Sequence, residues 1–147
     1  MIKKLTDYLS SLFKFEDDTD KPDQRFAIAS LLCAVSHADH ETSDLERLAI
    51  KNSLMKQLNL EENEVNDIIE VAEQDMLTST SIFDFTSLLS DLTHESRVSI
   101  IEMMWRVAYA DNHLGEIEEA VIRRVAGLLY VPHSEFIHTK LKVVATL

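Results

Sequence analysis

Apolar residues recur along this chain at spacings of three and four, the interval at which side chains share one face of an α-helix. The first such run is Ile2, Leu5, Leu9, Leu12 and Phe13, with Lys3, Lys4 and Lys14 off that face, so residues 1–15 read as an amphipathic helix. Residues 16–24 hold Glu16, Asp17, Asp18, Asp20 and Pro22, and read as an acidic linker. A helix is expected from about Asp23 to Ala38. Its middle, Phe26 to Val35, is almost wholly apolar, as in a helix buried on most sides. Leu45, Leu48, Ala49, Met55 and Leu58 give the next helix its periodic face, and Val65, Ile68, Ile69, Ala72 and Met76 give a third. Thr78-Ser79-Thr80-Ser81 interrupts the pattern. Beyond it come a short helix with Ile82, Phe85, Leu89 and Leu92 inward and a long one, His94 to Ala110, carrying Val98, Ile101, Trp105 and Ala108. Ile117, Ala120, Val121, Val125 and Leu128 mark the next helix. A last one, after Pro132, is expected to bury Phe136, Ile137, Leu141 and Val144.

The pattern repeats. An apolar run ends in Ala38-Asp39, a polar loop follows, and Ser43-Asp44-Leu45-Glu46 begins a helix as a capping box. Seventy-two residues later Ala110-Asp111 ends an apolar run again, and Gly115-Glu116-Ile117-Glu118 starts the next helix with Gly at the N-cap and Glu118 where Glu46 sits in the first copy. At that offset Leu45 meets Ile117, Ile50 meets Ile122 and Val65 meets Ile137. The expected fold is all-α: a pseudo-twofold bundle of seven to eight helices, built from two similar units at about 26–77 and 98–147 within a domain spanning 25–147. With two Gly and two Pro in 147 residues, the chain lacks the turn chemistry of an all-β fold.

The net charge of −12 changes the picture of partners. Such a surface repels nucleic acid and anionic lipid, and attracts cations and basic proteins. No apolar stretch reaches the length of a membrane span and no signal-peptide pattern opens the chain, which points to the cytoplasm. The one cysteine, Cys33, lies inside the apolar run Ile28 to Val35 and reads as a buried thiol.

At the paired hinges the chain resembles the tellurite resistance protein TerB family and its relative, the N-terminal domain of membrane-anchored DnaJ-like co-chaperones. The resemblance rests on Ala38-Asp39 through Glu46, on Ala110-Asp111 through Glu118, and on the following Arg124-Val125-Ala126-Gly127-Leu128-Leu129. It covers roughly Arg25 to Leu147 and implies an all-helical bundle, a role in tellurite or general stress resistance, and acidic residues that hold a divalent cation. His40 and Asn112 stand where the family often has glycine.

The hinge carboxylates admit two readings. Asp39 and Asp111 fall at helix C-termini, where the macrodipole disfavours a negative charge by about 0.3–1 kcal/mol. Either each accepts backbone N–H groups in an Asx-turn, or Asp39, Glu46, Asp111 and Glu118 are metal ligands, hard oxygens suited to Ca²⁺ or Mg²⁺. An EF-hand is excluded, since its twelfth position falls on Ile50 and Ile122. The two hinges are expected to lie close together as one acidic patch. His37, His40 and His113 sit nearby without any zinc spacing. No nucleophile elbow, P-loop, dinucleotide fingerprint or hydrolytic triad is present, so no catalytic residue is assigned.

These features favour a non-enzymatic binding or scaffold protein that works through protein partners. A metal-dependent enzyme using the hinge carboxylates and a peripheral membrane adaptor using residues 2–14 are the alternatives. Residues 2–14 are expected to pack on the bundle instead of anchoring in lipid. Nothing in the sequence assigns an oligomeric state.

Overall fold

The computed structural model describes residues 22–38, 43–76 and 82–147, and among these are seven α-helices and no strand. They are α1 (Pro22–Ser36), α2 (Asp44–Leu58), α3 (Glu62–Met76), α4 (Ile82–Leu88), α5 (His94–Ala108), α6 (Glu116–Leu128) and α7 (His133–Val144). The expected amphipathic helix at 1–15 and the acidic residues up to Lys21 lie outside the described residues, as do 39–42 and 77–81. Pro22 is the first residue of α1, a position that needs no N–H donor.

The core is one cluster threaded by two helices. Residues Ala27 to Ser36 of α1 are all buried, and α1 packs against α2, α3, α4, α5 and α6. In α5, Ile100, Ile101, Met103, Met104, Trp105, Val107 and Ala108 are buried, and this helix packs against α1, α2, α6 and α7. The apolar middles read from the sequence are therefore the buried axis of the bundle. Trp105 lies with its ring centroid 5.0 Å from that of Phe136, which joins α5 to α7. Phe26 meets Phe85 edge-on at 6.0 Å, which joins α1 to α4.

Several of the packed pairs among the described helices correspond between the two halves. Exchanging α1, α2 and α3 for α5, α6 and α7 turns α1–α2 into α5–α6, α1–α3 into α5–α7, α2–α3 into α6–α7 and α1–α6 into α5–α2, all of which pack. The burial pattern holds the 72-residue offset through Ile28 and Ile100, Glu46 and Glu118, and Ile50 and Ile122. It then changes to 71. Leu60 and Val131 are both buried, and so are Val65 and Phe136, whereas Ile137 is only partly buried. The residue lost lies near the end of α6, which has 13 residues where α2 has 15.

Those two helix ends show what the shortening does. Asn59 caps α2 in the left-handed region at φ 53°, and Leu60 N–H donates to Met55 O at 3.2 Å. After α6, Tyr130 takes that conformation at φ 57°. Its N–H donates to Gly127 O at 3.2 Å, and Val131 N–H donates to Ala126 O at 2.8 Å. This is a Schellman closure with tyrosine where glycine is the usual residue. The tyrosine is 77% exposed, and the following Val131 is buried.

Two expectations for the last helices change. The short helix ends at Leu88, with Leu89 and Leu92 buried in the turns that follow it. In α7 the inward residues are Phe136, Thr139 and Val143, while Leu141 and Val144 face solvent. Thr139 takes an inward place because its hydroxyl donates within the helix, to Glu135 O and Phe136 O at 3.0 and 2.9 Å.

Candidate functional site

Two helix starts carry Glu46 and Glu118, two of the four carboxylates that the sequence singles out. At α2, Ser43 is extended (φ −73°, ψ 163°) and its Oγ accepts the Glu46 N–H at 3.1 Å. Glu46 Oε1 in turn accepts the Ser43 N–H at 3.1 Å, completing the capping box. At α6, Gly115 has the same extended backbone (φ −84°, ψ 151°) and donates its N–H to Glu118 Oε1 at 2.8 Å. Glycine has no hydroxyl, so the reciprocal bond is missing and this box is half built. Glu46 and Glu118 are both buried. A buried carboxylate needs donors, and the N-cap amide supplies one to each.

The second hinge is an Asx-turn. Asp111 Oδ1 accepts the His113 N–H at 3.1 Å. Between them Asn112 sits at φ 62°, and its N–H donates to Tyr109 O at 2.9 Å. Asparagine enters the left-handed region more readily than any residue with a bulkier side chain. This accounts for Asn112 at a place where glycine would serve equally. Asp39 lies outside the described residues, and so does the expected closeness of the two hinges. Among the described residues no three His, Cys, Asp or Glu side chains converge as a metal-binding group. Asp111 and His113 are exposed.

Beside each capping glutamate is an apolar residue that the helical period alone would turn inward. Leu45 is 55% exposed and Ile117 is 53% exposed. Each follows an exposed carboxylate, Asp44 or Glu116, at the first turn. The reason is the cap. Glu46 and Glu118 fold back to their N-cap amides and take the inward position of that turn. The buried face of α2 then continues through Ile50, Ser53, Leu54 and Leu58. Leu48, one turn on from Leu45, is exposed as well. Periodicity could not distinguish these positions; the Ser-x-x-Glu spacing was the signal that could.

A groove of about 440 Å³ separates α2 from α3. Arg47 and Lys51 line it from one side, Asn66, Glu70 and Glu73 from the other. Arg47 is bonded to Glu73, and Lys51 to Glu62 at 2.6 Å, so opposite charges compensate along its walls. A smaller groove of about 260 Å³ lies beside the second hinge, between Ala49 and Ser53 of α2 and Tyr109, Asn112, Val143 and Leu147.

Cys33 is buried in α1, the helix that packs on both α2 and α3. Burial pushes its thiol up to about 12; the nearby Glu73 carboxylate adds to the rise and Arg47 opposes it. The thiolate form, which does the chemistry of cysteine, is suppressed.

Among the described residues no helix is long and apolar enough to cross a membrane. A family model described as Tellurite resistance protein TerB matches residues 25–141. No curated protein and no solved structure matches the chain.

Proposed function

The chain belongs to the tellurite resistance protein TerB family, and from that premise we propose that it is a binding module of tellurite or general stress resistance that takes basic, apolar protein segments. The observation that carries this reading is the matched pair Leu45 and Ile117. Both are exposed at equivalent first turns, each beside an exposed carboxylate. An exposed apolar side chain beside a carboxylate is suited to a partner helix with leucine-like anchors and lysine or arginine at the rim. The net charge of −12 would speed the encounter of such a partner and make it sensitive to salt.

Calorimetric titration of the full chain tests it, with two synthetic amphipathic peptides as probes, one of leucine and lysine and one of leucine and glutamate. The lysine peptide should bind, more weakly at high salt, and Leu45→Glu with Ile117→Glu should abolish binding without lowering the melting temperature. Equal binding of both peptides, or binding untouched by the double variant, would overturn the proposal. Growth on tellurite of host cells carrying the wild type or the double variant then tests whether these positions serve resistance.

A further inference from the structure

Helix α2 presents a row of side chains away from the bundle. Leu45 and Leu48 are 55% and 52% exposed, Asn52 is exposed, and Met55 is partly buried at the edge of the core. Their spacing of three, four and three is that of the a and d positions of a heptad, over about 15 Å of helix. The fold itself does not call for leucines there. The counterparts on α6 are Ile117, Ala120, Arg124 and Gly127, all exposed, and only the first is a large apolar residue. One side of the row on α2 borders the smaller groove, where Ala49, Asn52 and Ser53 lie opposite Tyr109, Val143 and Leu147.

The charges beside the row decide what fits it. In the flanking positions of the heptad, Asp44 and Lys51 stand on one side, and Ala49 and Lys56 on the other. Against a second copy running parallel, Lys51 would meet Lys56. Against a copy running antiparallel, each Asp44 meets the other copy's Lys51, and the two helix dipoles are opposed as well. Lys51 already holds Glu62 at 2.6 Å, but an ammonium has three donors and can take a second carboxylate. In this direction Leu45 meets Met55 and Leu48 meets Asn52, and the one polar residue of the row fixes the register.

We infer that the outer row of α2 is the seam of a homodimer, with two copies of the chain packed antiparallel about a twofold axis at the level of Ile50. The occupant is a second copy because the row complements itself, in charge and in register, once it is turned end for end. The seam is two heptads long and each copy carries −12, so the contact is weak and reversible. It covers Leu45 and leaves Ile117 open, and it needs no peptide to form.

Sedimentation equilibrium of the full chain over a range of concentrations tests the seam. The wild type should pass from monomer to dimer, and Leu48→Glu should raise the dissociation constant by about tenfold or more with the melting temperature unchanged. Asp44→Lys and Lys51→Asp should each stay monomeric alone, with wild-type helicity by circular dichroism. An equimolar mixture of the two should dimerise, because it again sets lysine against aspartate at both ends of the seam, and this rescue requires both variants to be folded. A wild type that is monomeric at every concentration would overturn the inference. So would a Leu48→Glu variant that dimerises as the wild type does, or a mixture that associates no better than its parts.

Discussion

Arg47 holds Glu73 with both arms of its guanidinium, Nη1 to Oε1 at 2.6 Å and Nη2 to Oε2 at 2.9 Å. The pair ties α2 to α3 across their groove, and its fork geometry is one that lysine cannot reproduce. Half of the Arg47 side chain remains exposed, so solvent screens the attraction. Arg47→Lys should lower stability by about 0.5 kcal/mol in urea titration at low salt, and the difference should shrink as salt is added.

The hinge carboxylates separate a cap from a cation. Glu118→Ala leaves the Gly115 N–H without its acceptor and should destabilise by about 1 kcal/mol. Asp111→Asn keeps an oxygen for the His113 N–H and should melt within a degree or two of wild type when no metal is added. If the hinge takes a divalent cation, the wild type should melt higher in millimolar Ca²⁺ or Mg²⁺, and Asp111→Asn should lose that rise. A flat wild-type response across these cations leaves the Asx-turn as the work of Asp111.

The end of α6 has its glycine and its bulky residue in positions better exchanged. Gly127 is helical, and a Cβ built there meets no atom within 4 Å. Gly127→Ala should stabilise by about 0.5–1 kcal/mol. Tyr130 is left-handed at φ 57° and exposed, so Tyr130→Gly should add about 1 kcal/mol. Thermal unfolding should show both gains, and they should be nearly additive. A loss on Tyr130→Gly would mean that the tyrosine side chain contributes a contact that outweighs its backbone strain.

Glu102 gives stability a pH dependence. Burial opposes its ionisation, but hydrogen bonds from Lys142 at 3.0 Å and Arg106 at 3.1 Å prevail and hold the carboxyl below the usual glutamate range. A depressed folded pKa means stability that is fully present above the unfolded value and lost as pH falls through the folded one. Glu102→Gln should therefore be less stable by about 1 kcal/mol near neutral pH, and its deficit should close as the solution is acidified below the glutamate range.

What could be read in advance follows from which forces are local. The two buried axes were legible because Phe26 to Val35 is apolar on nearly every side and because Val98, Ile101, Trp105 and Ala108 give α5 an apolar face. Ser43 and Glu46 were legible as a cap because three-residue spacing fixes that contact. Leu45 and Ile117 misled the periodic reading, since the folded-back glutamate takes the inward position and this cannot be seen from apolar spacing. The change of offset from 72 to 71 was hidden because Ile137 lies beside Phe136, and both are apolar. The Arg47–Glu73 pair joins residues 26 apart and depends on how α2 lies on α3, which no local pattern states.

The sealed thiol of Cys33 bears on how this fold meets oxidants. It is the only cysteine in 147 residues, and its proton is held until about pH 12. Detoxifying an oxidised anion by sulfur chemistry requires an accessible thiolate, and the folded chain offers none at physiological pH. Oxidants that consume exposed thiols elsewhere in the cell should leave its fold intact, so it can keep working while thiol-dependent proteins are being inactivated.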